Sequence, residues 1–345
     1  PALGLREAGA ILTGRIAAAD GAPVLLPLTT DLPVRVTSAD ITLGFDAAQE
    51  EGWRALASIQ GLDRDDFRAS RLTLAGSGRI ARGTAPRIGA TFRFDAEGLS
   101  PTAAALAAAL GSFVSGDAVA YWTQGDGAVS IPRLTLLGED YSARLGGQIT
   151  GLDAALTISG RAEAEMADMG RLSGLAGRKL GGAGVVTVFG SGSPLTGAFD
   201  AEVTAEGTDL SASIPELDGL LKGNSRVELS ARRDQTGTEL RKLTLAATSL
   251  AATAQGRIAS SGADLTADLA FADLSVMGAR YGGALKGKAH LTGTLTEGAA
   301  TLDATGSGLR IGQDEADKLL AGQSNVSLEL ALKEGAVQVQ RAEVS

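Results

Sequence analysis

Phe199-Asp200-Ala201-Glu202-Val203-Thr204-Ala205-Glu206 decides the reading of this chain, because every odd-numbered residue is apolar and every even-numbered one polar. Successive side chains of a strand point to opposite faces, so a period of two describes a strand with one apolar and one wet face. The same beat recurs on both sides: Ile88, Ala90, Phe92 and Phe94 against Thr91, Arg93 and Asp95, then Leu265, Ala267, Leu269 and Phe271, then Leu291 and Leu295, then Val326, Leu328, Leu330 and Leu332 against Ser327, Glu329 and Lys333. Strands with a single polar face belong to antiparallel sheet. The fold class is therefore all-β, an elongated, repetitive antiparallel sheet with short helical insertions. With about 12 residues for a strand and its turn, the chain holds on the order of 28 strands.

Composition agrees. Only 4% of the 345 residues are aromatic, while 44% are hydrophobic, carried by Ala, Leu, Val and Ile, which suit a thin apolar layer better than a thick core. Forty-seven Gly scattered among the alternating segments, with nine Pro, mark many tight turns. The formal charge of −9 with dispersed Lys and Arg offers no basic stripe, so nucleic acid is not an expected partner. The absence of Cys excludes disulfides and thiolate chemistry and leaves the compartment open. No stretch approaches the roughly 20 apolar residues of a membrane span.

Helical patterns are short. Ser100 as N-cap, Pro101 at the first helical position and Gly111 as stop bracket one, carrying Leu106 and Leu110. The spacing of Trp53, Leu56 and Ile59 predicts a second small amphipathic helix from Gln49 to Ile59, packed locally or acting as a lid over an apolar groove. Asp168, Met169, Leu172 and Leu175 predict a third.

Internal repeats set the organisation. Arg133-Leu134-Thr135-Leu136 returns as Lys242-Leu243-Thr244-Leu245 at an offset of 109, together with Gly147, Ile149 and Leu156 as Gly256, Ile258 and Leu265. At an offset of 99, Gly207, Leu210, Leu220-Leu221, Gly223, Val227 and Leu229 return as Gly306, Leu309, Leu319-Leu320, Gly322, Val326 and Leu328, and Arg341 follows Lys242. Arg71-Leu72-Thr73-Leu74 opens a shorter, diverged copy. Modules of several strands followed by a helical crossing, such as 214–222 or 313–321, give five segments: 1–63 (diverged, with the small helix), 64–126 (diverged, short), 127–237, 238–335, and 336–345, where Val337, Val339 and Val344 begin a further module.

Catalytic constellations are missing from the pattern. The sole His, His290, lies on the polar phase of its strand, and no nucleophile elbow or phosphate loop is present. Asp63-Arg64-Asp65-Asp66 and Asp314-Glu315 with Asp317 lack calcium-loop spacing and read as solvated turns or helix starts. Gly181-Gly182-Ala183-Gly184 and Gly306-Ser307-Gly308 read as turns. No metal or cofactor is expected, and the chain is not expected to be an enzyme.

The segments Ala167-Asp168-Met169 to Gly181 with Thr187 to Gly197, and Ala272-Asp273-Leu274 to Gly283 with Leu285-Lys286-Gly287 to Gly298, share an order of Asp-Leu (Asp-Met in the first), small helix, Gly, Leu-x-Gly and strand. This order resembles the TamB family of the AsmA-like superfamily, the inner-membrane partner in the translocation and assembly module, and the likeness runs from about residue 64 onward. The resemblance implies a sheet folded lengthwise like a taco, apolar inside and polar outside, in the periplasmic portion of an inner-membrane-anchored protein. It further implies phospholipid transport, outer-membrane biogenesis and an outer-membrane barrel partner. The family's membrane anchor and its contacts with that barrel are expected in parts of the protein outside this sequence.

Physics supports a lipid role separately, since an open apolar trough has a use that a closed core lacks. A phospholipid with roughly 30 acyl methylenes would need about 25 kcal/mol to cross water. The residues expected to line the trough and meet phospholipid acyl chains are Phe92, Phe94, Phe199, Val203, Val227, Leu229, Leu265, Leu269, Leu291, Leu295, Val326, Leu328 and Leu330, with Glu228, Ser327 and Glu329 facing water. Three alternatives stay open. A β-solenoid adhesin or passenger would show rungs of about 20 residues, which the hundred-residue period opposes. A scaffold for outer-membrane protein assembly would share the architecture without carrying lipid. An enzyme on such a sheet would need clustered acidic and basic side chains on one face.

Overall fold

The computed structural model describes residues 9–26, 32–46, 52–81, 86–125, 127–151, 156–294, 297–333 and 336–345, with the backbone alone at 215–217. The protein is all-β, 69% strand and 9% helix. Among the described residues, twenty-two strands form antiparallel sheet that is not closed into a barrel. The count falls below the sequence expectation because most strands run to 9–15 residues. The chain divides into two units, residues 1–166 with 171–178, and residues 167–170 with 179–345.

Unit 1 contains β1 (Gly9–Ala17), β2 (Val24–Leu25), β3 (Arg35–Val36), β4 (Ser38–Asp46), β5 (Gly52–Arg64), β6 (Phe67–Ala81), β7 (Arg87–Glu97), β8 (Ser100–Pro101), α1 (Ala104–Leu110), β9 (Phe113–Thr123), β10 (Ala128–Leu137), β11 (Tyr141–Thr150), β12 (Thr157–Met166) and α2 (Ser173–Ala176). β1 pairs β4, and the ladder continues antiparallel through β5, β6, β7, β9, β10, β11 and β12. Unit 2 contains β13 (Gly181–Gly192), β14 (Phe199–Ser211), α3 (Pro215–Leu220), β15 (Asn224–Asp234), β16 (Gly237–Ala246), β17 (Leu250–Ala259), β18 (Gly262–Phe271), a 3-10 turn (Leu274–Met277), β19 (Gly282–Gly293), β20 (Glu297–Arg310), α4 (Asp314–Leu320), β21 (Gln323–Lys333) and β22 (Ala336–Val344). These strands pair in strict chain order.

The repeats occupy equivalent places. Residues 133–136 and 242–245 lie in β10 and β16, each just after a bulge, between Ile131 and Leu134 in one and between Leu240 and Leu243 in the other. β22 is irregular between Val339 and Arg341, the same place at an offset of 99. A bulge adds one residue and bends its strand, so the shared motif marks a shared bend. Residues 226–229 and 325–328 lie in β15 and β21, each following a short helix. Even the helix entry repeats: Asp218 Oδ1 accepts the Ala212 amide at 2.7 Å, and Asp317 Oδ1 accepts that of Ile311 at 2.7 Å.

No thick core exists. Among the described residues only eleven apolar side chains are buried, five of them Ala, and Val36 alone among the larger ones is below 2% exposed. Yet one face is sheltered. Along β20, Ala300, Leu302, Ala304 and Gly306 are half-buried or buried while Ala299, Thr301, Asp303 and Thr305 between them are exposed. Apart from neighbouring strands, the described elements that pack against either unit's sheet are short helical segments. Away from the edge strands β1 and β22, where apolar residues such as Leu12 and Val339 are exposed, a single layer sheltered on one face without a covering sheet must be concave on that face. Glycine permits the bend: Gly160 in β12 (φ 155°) and Gly256 in β17 (φ 144°) adopt conformations that L side chains avoid, and a Cβ there would overlap the carbonyl oxygens of Gly146 and Asp264. Each unit is thus a curled sheet with its apolar face inside, the groove form expected from sequence.

Some expectations are corrected. The helix predicted from Gln49 to Ile59 is the strand β5, paired on both edges, with residues 49–51 outside the described ones. The i, i+3, i+6 spacing of Trp53, Leu56 and Ile59 masked a period of two, Trp53-Ala55-Ala57-Ile59, whose middle members are small. Ser100 and Pro101 do not start α1. They form β8 against Phe67 and Arg68, the Thr102 amide donates to the Asp66 carbonyl at 3.0 Å, and α1 begins uncapped after Ala103, though it ends at Gly111 as expected. The third helix is a 3-10 turn (Met169–Leu172) running into α2. Gly181–Gly184 opens β13, and Gly306–Gly308 lies inside β20, so neither is a turn.

Candidate functional site

Register decides which apolar side chains share a face. In unit 2, Val203 stands opposite Val188 and Leu229, and its row continues through Leu243, Ala254, Ala267, Ala289, Leu302 and Leu328 to Ala342. The row on one side runs Val186, Ala205, Val227, Leu245, Ala252, Leu269, Gly287, Ala304, Val326, Val344. The row on the other runs Gly190, Ala201, Ala231, Leu240, Gly256, Leu265, Leu291, Ala300, Leu330, Val339. No polar or charged side chain interrupts these three rows across ten strands. With strands about 4.8 Å apart and alternate residues about 6.7 Å apart, this face covers roughly 1,000 Å². A soluble protein's largest apolar patch is typically a few hundred Å², and larger ones mark ligand or partner surfaces.

Unit 1 repeats the arrangement. One row reads Leu12, Leu43, Ala55, Gly76, Phe92, Ala118, Leu134, Leu145, Ala162, and the next Gly14, Ile41, Ala57, Leu74, Phe94, Gly116, Leu136, Ala143, Ala164. Trp53, opposite Phe45 and Gly78, continues the same face.

The opposite face carries the charges. One row of unit 2 reads Thr187, Thr204, Glu228, Thr244, Thr253, Asp268, Lys288, Asp303, Ser327, Glu343. Lys242 Nζ lies 3.0 Å from Glu228 Oε2, and hydrogen bonds from Lys242 first and Arg226 second hold the Glu228 carboxyl below its ordinary range. Arg241, the bulge residue of β16, reaches across β15 to Asp200 at 2.5 Å and lowers its pKa in the same way. Such exposed pairs are worth little individually, but they keep this face hydrated. His290 belongs here, 2.8 Å from Asp264 and about half exposed. In the β5–β6 turn Asp66 pairs with Arg64 and Asp63 with Arg68. Among the described residues no three acidic, His or Cys groups gather as a metal site would require, and no helix is long and apolar enough to cross a membrane.

In each unit two helical segments that are far apart in the chain meet. Between the attachment points of α1 and α2 run β9 to β12, yet Ala105 lies so near Gly174 that a Cβ on Gly174 would come within 2.9 Å of it. Between those of α3 and the 3-10 turn 274–277 run β15 to β18, and a Cβ on Gly219 would overlap the Val276 carbonyl.

Most of the residues expected to line the trough share one face in their unit. Val203, Leu229 and Leu328 share the central row of unit 2, Val227, Leu269 and Val326 the next, and Leu265, Leu291 and Leu330 the third. Glu228, Ser327 and Glu329 lie opposite. Phe92 and Phe94 belong to unit 1's face. Phe199 sits at the rim, opposite Arg233, and Leu295 lies outside the described residues. Sequence reasoning left Leu240, Leu243, Leu245 and Leu302 out of the lining, along with Leu134, Leu136 and Trp53. The repeated Leu-Thr-Leu motif carried the signal for several, but the bulge sets Leu240 and Leu243 three residues apart and hides their common face. The chain matches no family model, no curated protein and no solved structure.

Proposed function

We propose that this chain holds phospholipid acyl chains along its apolar faces and works as a segment of a periplasmic lipid-transfer bridge between inner and outer membranes, the role that the TamB resemblance implies. The observation that carries the proposal is the unit 2 face, three rows across ten strands without a polar side chain. Contacts with Leu, Val and Ala are non-directional, so chains held there can slide, while headgroups stay in water at the open side. The gain is large, since keeping about 30 methylenes out of water avoids a barrier of about 25 kcal/mol. No proton transfer or group transfer is involved, and the carboxylates stay on the wet face.

The test is a photo-cross-linking side chain placed singly at residues 326 to 330 in cells, together with Leu328→Asp. Phospholipid should be captured at Val326, Leu328 and Leu330 and not at Ser327 or Glu329. The aspartate should fold, because Leu328 is only half-buried and the carboxylate keeps some water, yet purify with several-fold less lipid. Equal capture at all five positions, or outright unfolding of Leu328→Asp, would mean a packed interior. A folded, alternating chain free of lipid would favour the scaffold alternative.

A further inference from the structure

The apolar faces of the two units differ in one respect that chemistry can use. In unit 2 the three central rows are aliphatic throughout. In unit 1, Phe45, Trp53, Phe92 and Phe94 cluster on β4, β5 and β7: Phe45 opposes Trp53, and the Trp53 and Phe92 rings lie 5.9 Å apart, inclined at 45°. Three of these rings, Trp53, Phe92 and Phe94, lie over a glycine of a neighbouring strand. A Cβ on Gly78 would meet Trp53 Nε1 at 2.7 Å, one on Gly76 would meet Phe92 Cδ1 at 3.1 Å and Trp53 Cζ3 at 3.2 Å, and one on Gly116 would meet Phe94 Cζ at 2.8 Å. Rings laid against bare backbone turn their other face to the open side, and Trp53, Phe92 and Phe94 are all only half-buried. The Trp53 indole N–H donates to no group among the described residues and is not one of the buried polar atoms, so an acceptor arriving from the open side can reach it.

We infer that these four rings form a cradle for a flat, fused-ring apolar molecule bearing one hydroxyl or carbonyl oxygen, a sterol-like polycycle. A rigid ring system can stack face-on against Phe92 and meet the inclined Trp53 ring at its edge, where its oxygen can accept from the Trp53 N–H. A flexible acyl chain gains no such stacking and has no acceptor on its methylenes. The inference rests on the reading of the face as a surface for hydrocarbon, and adds a ligand class at one place on it.

Trp53 and Trp122 are the only tryptophans, and Trp122 shares the face through its pairing row with Ile88 and Val129. The full chain is titrated with dehydroergosterol, whose absorption overlaps Trp emission, and separately with phosphatidylethanolamine brominated on its acyl chains. The sterol should accept energy from Trp, and its affinity should fall about tenfold in Trp53→Leu and in Phe92→Leu/Phe94→Leu. Trp53→Phe, which keeps the ring and loses the N–H, should lie between. Quenching of Trp122 by the brominated lipid should be the same in Trp53→Leu and Trp53→Phe, where it is the sole Trp, and total quenching should be unchanged by Phe92→Leu/Phe94→Leu. Sterol binding undiminished in the leucine variants, or quenching by brominated lipid with no sterol binding, would overturn the cradle and leave the acyl-chain reading standing. No quenching by either ligand would remove both. Circular dichroism checks folding, and a variant that fails to fold is replaced by Phe92→Leu alone, for which a several-fold loss is expected and none would count against the cradle.

Discussion

The helical pairs of the two units stand at corresponding places in the repeats and are held by opposite chemistries. In unit 1, Arg171 lies beside α1. Its guanidinium donates to the Ala108 carbonyl at 3.2 Å, pairs with Glu139 at 2.8 Å and touches Asp140, while Ser112 donates to Glu139 and the Tyr141 hydroxyl to the Leu110 carbonyl at 3.1 Å. Arg171 is only 16% exposed. In unit 2 the third residue of the 3-10 turn is Val276 instead of Arg171, and at an offset of 109 Glu139, Asp140 and Tyr141 become Thr248, Ser249 and Leu250. Leu250 is buried, as is Leu220 of α3. The turn beneath is unchanged: the Gly138 amide donates to the Tyr141 carbonyl at 2.9 Å, and that of Ala247 to Leu250 at 2.7 Å. A repeat can therefore conserve backbone geometry while exchanging an ionic latch for an apolar one, because the backbone turn needs neither.

If that is right, backbone lesions should strike both units alike and side-chain lesions only one. Gly160→Val and Gly256→Val should have the largest effects, about 3 kcal/mol each in chemical denaturation, since each adds a branched Cβ where a partner strand's carbonyl stands. Gly44→Ala, with nothing within 4 Å of its Cβ position, should be nearly neutral. A strong asymmetry between Gly160 and Gly256 would break the comparison.

Arg171→Met should come next. The carboxyls it leaves are partly hydrated, so a loss of about 3 °C in the melting of unit 1 is expected, with faster amide exchange at 104–111 and none of it at 215–221. High salt should mimic it weakly.

Acid should sharpen the contrast further. Hydrogen bonds from Ser112 first and Arg171 second hold the Glu139 carboxyl below its ordinary value, so its folded-state pKa lies under its unfolded one. Its contribution is complete above the ordinary carboxylate range and is lost as pH falls through the depressed value. Thr248 and Ser249 do not titrate. Amide exchange followed on lowering the pH should therefore show α1 released before α3, and simultaneous release would contradict the latch.

The smallest effect belongs to His290→Ala, which should shift stability by no more than about 0.5 kcal/mol and leave lipid content unchanged, since the side chain is half exposed on the wet face. Lost lipid there would contradict the division of the sheet into a working and a solvated face.

Alternation, composition and repeat spacing determined by themselves that the chain is antiparallel β with short crossings and one apolar face per strand, because a period of two is a local property that any eight residues display. They also placed Val203, Leu229, Leu269 and Leu328 correctly by phase. Register, curvature and neighbours were decided only in the tertiary structure. Trp53 reads as helical until β4 and β6 pair on its two sides, Leu240 and Leu243 share a face only because a bulge intervenes, and Ser100 is used by β6 before α1 can use it as a cap. Arg171 meets Glu139 across 32 residues of sequence. Each of these depends on which distant backbone completes the hydrogen bonds, and that choice is made by the sheet as a whole.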